Sequence, residues 1–411
     1  MNATTTPGQS PWRHRIRTAA LLFFCWVVVP LVVVEVAMIV LEPYLFTGFY
    51  QYDRDIGFRV RPEPGRTNAL GFNDRDYPLQ REPGVFRILV IGDSFGWAGG
   101  MNGNYTALLE QRLNEAGRGR PVEVINASLP MSHTGEQRTL LEKYGLPLEP
   151  HLVVLGFFVG NDFLDADPRR KRIVVNDTYL DIKRGREVTL FGYPIVRQSR
   201  LLAFLRQKYR IFREGPRLEA SEEAQASAGA QGTYSEETFL ALERDRLEFC
   251  NRRSHAEGRY AANIGYVLES LRAMRDGLRA RDVPLIVAIF PDEFQVDDGL
   301  AGAVFNRFKL DRNDYDLTLM QKVLREFLES EKIPYVDMLE RFRQAGRQER
   351  LYRLRDSHWN QAGNRLAAAI LQESLTPVIE AHFRSGTTNG RASRYRLPSA
   401  YQTCVVRHAA R

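Results

Sequence analysis

The chain has 411 residues, 26% of them charged and 44% hydrophobic, the composition of an ordinary globular protein with length for a sizeable core. Its net charge of +7 is a small excess of 57 basic over 50 acidic side chains, which reads as a solvated basic surface and argues against nucleic acid as a partner. Three cysteines say little: Cys25 falls in an apolar stretch, leaving Cys250 and Cys404 as a pair that an oxidising compartment would permit.

The first element is the exception to the globular pattern. From Ala19 to Leu41 the only charge is Glu35, and a helix of about twenty apolar residues is long enough to cross a bilayer. A cleaved signal peptide is the rival reading, because Arg13, His14, Arg15 and Arg17 precede the stretch in either case. Signal peptidase needs small residues at two positions before the cut, and the one small candidate, Ala37, has Glu35 two residues ahead of it. The expectation is therefore an uncleaved anchor. A glutamate at mid-span would cost on the order of 3 kcal/mol, but Glu35 lies near the outer end, where it can reach the interface. The preceding basic cluster predicts the N-terminus inside and residues 42 onward outside.

Beyond the anchor, five short apolar runs read as buried parallel strands: FRILVIG from Phe86, VEVINA from Val122, HLVVLGFF from His151, PLIVAIF from Pro284 and IPYVDM from Ile333. Amphipathic stretches lie between them, such as YTALLEQRLNEAG from Tyr105, stopping at Gly117, and YAANIGYVLESLRAMRDGLRAR from Tyr260. Alternating strands and helices predict an α/β domain with a central parallel sheet of about five strands and helices on both faces. The alternation breaks from 166 to 259, which reads as a helical and polar insert. It holds a basic amphipathic stretch, SRLLAFLRQKYRIFR from Ser199, in which Leu201, Phe204, Leu205 and Phe212 share one helical face and Arg200, Arg206 and Arg210 lie elsewhere. Such a helix packs on its own domain, lies on the membrane or acts as a lid. The polar run EASEEAQASAGAQGTYSEE from Glu219 reads as a flexible loop. The expected division is 1–18 cytoplasmic N-terminus, 19–41 transmembrane anchor, 42–84 outer lead-in, 85–381 the α/β domain with its insert, and 382–411 a polar tail.

In open parallel sheets ligands bind beyond the carboxyl ends of the strands, so residue chemistry there matters most. Ser94 follows the first strand by three residues, in RILVIGDSFGWAGG, and alone it is a good turn or capping serine. A serine hydroxyl becomes a nucleophile when a base takes its proton, most often a histidine oriented by a carboxylate. Of seven histidines, His358 stands out: it sits in LRDSHWNQAGNRLAAAI, after the last strand unit and before a clear helix, two residues beyond Asp356. The end of the third strand, VLGFFVGNDFLD, supplies Gly160 and Asn161, whose side-chain amide can donate to a developing oxyanion. The Ser94 N–H and one N–H from the loop NASLPMSH would complete the hole.

GDSF at Gly92, GND at Gly160 and DSH at Asp356, in that order on an α/β pattern, resemble the SGNH/GDSL hydrolase family. The resemblance implies a flavodoxin-like SGNH hydrolase fold from Phe86 to about Leu371. It assigns Ser94 as nucleophile, His358 as general base and then acid, Asp356 as its orienting carboxylate, and Asn161 as oxyanion donor, with no metal or organic cofactor. One block departs from the pattern, since the family glycine after the second strand falls on Met131 here, or on Ser128 one turn earlier. The close Asp356–His358 spacing followed by Trp359 is similar to that of membrane-linked proteins that acetylate bacterial exopolysaccharides, and TNALGFNDRDYP resembles the lead-in of anchored bacterial members. The expectation is thus a single-pass protein of a bacterial inner membrane with a periplasmic catalytic domain. It would act through an acyl-Ser94 intermediate on O-acetyl esters of cell-envelope or exported carbohydrate. Acetyl transfer at the same site, a lipid ester substrate, and a non-catalytic role in polysaccharide assembly are the alternatives.

Overall fold

The computed structural model describes residues 11–45, 48–116, 121–175, 177–196, 199–206, 208–209 and 233–386. They fall into two compact units, one from residues 1–58 and 172–226, the other from 59–171 and 227–411.

In the first unit a helix runs from Pro11 to Leu45, regular except for a wider turn over Phe24–Val28. Pro30 follows that turn and has no N–H for the carbonyl four residues back, so the local loosening has a covalent cause. Over His14–Leu41 this helix is long and apolar enough to cross a membrane. The stretch 200–206 is helical, with the exposure of two side chains reversed from the sequence expectation: Arg200 is buried and Leu205 exposed. The reason is Glu35, whose carboxylate accepts the Arg200 N–H (2.6 Å) and the Leu201 N–H (3.0 Å), while the Arg200 guanidinium donates to the Pro194 carbonyl. Arg210 and Phe212 lie outside the described residues. The segment before this helix is extended, with paired strands Arg170–Val175 with Thr178–Lys183 and Thr189–Leu190 with Tyr193–Pro194.

The second unit is built on five parallel strands, β1 (Phe86–Ile91), β2 (Val122–Asn126), β3 (Leu152–Phe158), β4 (Leu285–Phe290) and β5 (Tyr335–Asp337), in the order 2-1-3-4-5. That is the flavodoxin-like order, whose switch point lies between β1 and β3. Every residue of β1, β3 and β4 is buried, as expected of strands covered on both faces. The flanking helices are α1 (Tyr105–Glu115), α2 (Thr134–Leu140), α3 (Ala261–Arg279), α4 (Leu319–Ser330) and α5 (Gln361–Gly386). Helix α1 packs with α5, and α2 with α3. A core of Ile88, Val90, Phe95, Val154, Phe290 and Trp359 runs beneath the carboxyl ends of the strands.

Residues 236–247 form a helix that packs on Asp298–Phe308 through Leu240, Leu247, Val304 and Phe305. Most of the polar run from Glu219, up to residue 232, lies outside the described residues, as does Cys404, the partner suggested for the buried Cys250. Helix α5 continues past His382 to Gly386.

Candidate active site

Strand β1 ends at Ile91, and the chain turns at once into a single 3-10 turn over Ser94–Trp97. The Asp93 side chain caps that turn by accepting the Phe95 N–H at 3.0 Å, which leaves the Ser94 hydroxyl at the rim. Gly96 has to be glycine for lack of space: a Cβ there would stand 2.2 Å from Ser128 Oγ. The lead-in fastens the same turn, because Asn73 and Asn126 both donate their side-chain amides to the Gly96 carbonyl, at 3.1 and 2.7 Å. Asp74 accepts the Asn126 N–H at 2.8 Å, and Trp97 Nε1 donates to the Ser128 carbonyl at 3.0 Å.

His358 comes from a hairpin of Tyr352–Arg353 with Asp356–Trp359, just ahead of α5. Trp359 is fully buried and packs edge-on against Phe95 at 4.7 Å, and the His358 ring lies 5.3 Å from the same Phe95, so aromatic contacts join the hairpin to the Ser94 turn. Within this frame His358 Nε2 lies 2.7 Å from Ser94 Oγ, and His358 Nδ1 lies 2.6 Å from Asp356 Oδ1. The same Oδ1 accepts the His358 backbone N–H at 3.2 Å, and Oδ2 accepts the Thr233 hydroxyl at 2.8 Å. Burial alone would raise the Asp356 pKa, but the hydrogen bond and charge of His358, with the Thr233 hydroxyl, outweigh it and hold the carboxyl at about 2. A carboxylate so held stays ionised at any working pH. It fixes the proton of a neutral imidazole on Nδ1 and leaves Nε2 to accept from serine.

Asn161 stands on the turn after β3, and its amide donates weakly to Asp165 at 3.4 Å. The NH2 group carries two N–H bonds, so one is left for another acceptor. Gly160 beside it is confined sterically, since a Cβ would come within 2.0 Å of Asp292 Oδ2 and 2.5 Å of the Phe158 ring. Met131 has φ 66, the left-handed backbone conformation that glycine adopts most readily. Position 131 therefore carries a backbone conformation that a glycine would adopt without strain.

Two contributors, Thr233 and Arg246, carried no sequence signal that singled them out. Thr233 lies inside a run that reads as polar loop, yet its N–H and that of Tyr234 bond to the carbonyls of Leu354 and Arg355 in the histidine hairpin. Arg246, on the helix Glu236–Leu247, bonds to Ser357 between the two hairpin residues, pairs with Glu243 at 2.7 Å and lies 3.7 Å from Asp292. Burial lowers the Arg246 pKa, but the charges of Glu243 and Asp292 outweigh it, so the guanidinium stays charged. Beneath the serine turn, Asp93 and Asp162 are buried; burial, helped by the charge of Asp165, pushes the Asp93 pKa up to about 6, and burial with the charge of Asp93 raises that of Asp162.

Residues 249–395 match the family model described as the SGNH hydrolase-like domain of the acetyltransferase AlgX, a range that contains Asp356 and His358. A search of curated proteins finds no match. Among solved structures, the acetyl xylan esterase AlAXEase is 14% identical, with 71% of this chain and 100% of that chain covered and a TM-score of 0.38. A lipase/acylhydrolase from Enterococcus faecalis is 15% identical over 71% of this chain and 95% of that one, at a TM-score of 0.36. A catalytic mutant of an acetylxylan esterase from Geobacillus stearothermophilus is 12% identical over 71% and 94%, at 0.38. The segment 249–395, which carries the histidine hairpin, is thus similar to an SGNH hydrolase-like domain, and it sits on the 2-1-3-4-5 parallel sheet whose first strand leads into the serine turn.

Proposed function

We propose that the chain is an acyl-transferring serine enzyme, held to a membrane by its first helix, that acts on O-acetyl esters of carbohydrate. The observation that carries the reading is the line from Ser94 Oγ to His358 Nε2 at 2.7 Å and from His358 Nδ1 to Asp356 at 2.6 Å. Ser94 Oγ forms a bond to the ester carbonyl carbon as its proton passes to His358 Nε2, and the charge of Asp356 stabilises the resulting imidazolium. The tetrahedral oxyanion is received by the N–H groups of Ser94 and Met131 and the Asn161 amide. Collapse breaks the bond to the leaving oxygen, which takes the proton from His358 and leaves acyl-Ser94. A second hydroxyl, from water or from an acceptor, then repeats the steps in reverse.

The similarity of residues 249–395 to an acetyltransferase domain favours a second reading, in which the acceptor is a sugar hydroxyl. The acyl-enzyme is common to both, so one experiment tests the shared core. The full chain in detergent micelles is treated with a fluorophosphonate, and labelling is expected on Ser94 and lost in His358→Ala; no labelling of the folded wild type overturns the mechanism. Turnover of an aryl acetate, with and without an oligosaccharide acceptor, then distinguishes the readings: acetyl on the acceptor supports transfer, and acetate alone supports hydrolysis.

A further inference from the structure

We propose that the described residues of 188–209, namely 188–196, 199–206 and 208–209, form a second membrane contact, an amphipathic platform lying in the outer interface of the bilayer that the first helix crosses. Six large apolar side chains are solvent-facing within this short segment: Val188, Phe191, Ile195, Leu202, Leu205 and Tyr209. Phe191 is 72% exposed at the tip of the hairpin Thr189–Leu190 with Tyr193–Pro194, where φ is 53 at Phe191 and 84 at Gly192. An aromatic residue in a left-handed conformation at an exposed tip gains nothing from water, and neither do Leu202 and Leu205 on the following helix.

The contact with Glu35 says what covers this face. Glu35 is the one charge inside the apolar span, and its two oxygens accept the first N–H groups of the 200–206 helix. It lies six residues before Leu41, about 9 Å along the helix axis. Interfacial amphipathic helices sit roughly 5–10 Å into the boundary between headgroups and acyl chains, so the depth at which Glu35 holds residues 200 and 201 is the depth such helices occupy. Lys183, Arg184, Arg186, Arg206 and Lys208 flank or lie within the segment, and exposed basic side chains suit anionic lipid headgroups. Lys208 also stands over the Phe204 ring at 5.4 Å, an apolar stem with its charge held at the edge. The occupant is therefore lipid, in the form of acyl chains beneath an anionic headgroup layer.

The inference rests on the first helix being a membrane span, and one experiment reports on the two separately. The unmodified full chain is reconstituted into nanodiscs containing phosphatidylglycerol and a phospholipid with a diazirine on its acyl chain, irradiated, digested and mapped by mass spectrometry. Adducts are expected in 188–209 as well as in 19–41, and Phe191→Glu with Leu205→Glu should lose those in 188–209 while keeping those in the span. Adducts in the span alone overturn the platform, and so does unchanged labelling of 188–209 in the double variant. Adducts in neither overturn the span together with the platform.

Discussion

Replacing Asp356 by Asn removes the charge opposite the imidazole and little else. The Asp356 Oδ1 position receives two donors, the His358 backbone N–H and the ring Nδ1–H, so the amide oxygen of Asn belongs there. The amide nitrogen then falls where Oδ2 accepted the Thr233 hydroxyl, and a hydroxyl can rotate to accept instead. The productive tautomer therefore survives, and the loss is electrostatic. Its size follows from the carboxyl itself: against the opposing burial effect, His358 and the Thr233 hydroxyl together hold it at about 2 rather than 3.8, a difference of roughly 2.5 kcal/mol. Two charges about 4 Å apart at an effective dielectric near 20 interact by about 4 kcal/mol, which sets the upper end. At 1.4 kcal/mol per tenfold, kcat/KM for an aryl acetate should fall on the order of 10²–10³-fold, short of the about 10⁴-fold that a wrong tautomer costs in the serine protease triad. A fall of less than tenfold, with Ser94 still labelled by a fluorophosphonate at the wild-type rate, would refute the assignment of Asp356 to the histidine.

Three further outcomes are expected. Met131→Gly keeps the N–H and relieves a left-handed non-glycine residue by about 1 kcal/mol, which the greater chain entropy of glycine offsets. Its Tm and its kcat/KM should then stay within roughly 2 °C and threefold of wild type, whereas Met131→Pro removes the donor and, with φ fixed at about −65°, cannot keep the left-handed turn, so it should cost about 10²-fold or more in kcat/KM together with a fall in Tm; equal losses in the two variants contradict a backbone role. Gly160→Ala drives a methyl to 2.0 Å from Asp292 Oδ2 and 2.5 Å from the Phe158 ring; overpacking of about 1–3 kcal/mol should lower Tm by roughly 3–10 °C in thermal denaturation, and an unshifted Tm contradicts the packing at the Asn161 turn. Burial pushes the Glu293 pKa from 4.5 to about 8, so the folded chain binds a proton there that the unfolded chain has released. That contribution is complete below 4.5 and lost as pH rises through about 8, so Tm should fall across this window in wild type and fall less in Glu293→Gln; parallel profiles would show that Glu293 is not the group responsible.

The sheet was legible because its strands are buried on both faces and read as unbroken apolar runs, FRILVI and LVVLGFF among them. Ser94 and Asn161 follow strands that the order 2-1-3-4-5 places side by side, so both stand at the same carboxyl rim; His358 reaches Ser94 from a separate hairpin just ahead of α5. Exposure on the 200–206 helix was not legible. A helical wheel assigns arginine to water, and nothing in the local sequence says that a glutamate 165 positions earlier will take the Arg200 N–H. The conformation of Met131 was hidden for a different reason, because a left-handed φ at a non-glycine residue is set by the surrounding turn and leaves no mark in composition.

The stretch that interrupts the alternation turns out to have two roles in two places. Residues 172–226 belong to the unit of the first helix, while the chain from Thr233 onward returns to the α/β unit and grips the histidine hairpin. Thr233 bonds to the Asp356 side chain, and Thr233 and Tyr234 extend the hairpin backbone at Leu354 and Arg355. Arg246 takes the intervening Ser357, anchored in turn by the fully buried Glu243. A two-residue separation of Asp356 and His358 on a short strand sends their side chains to the same side of it, which suits an orienting pair. It also leaves the pair on a hairpin of few hydrogen bonds, whose register shifts between Tyr352 and Arg353. Precision at the imidazole must then come from outside that hairpin, and Thr233 and Arg246 supply it from the far end of the interruption. A segment that resembles an ornament in the sequence is, from Thr233 on, part of what holds the Asp356–His358 pair at 2.6 Å.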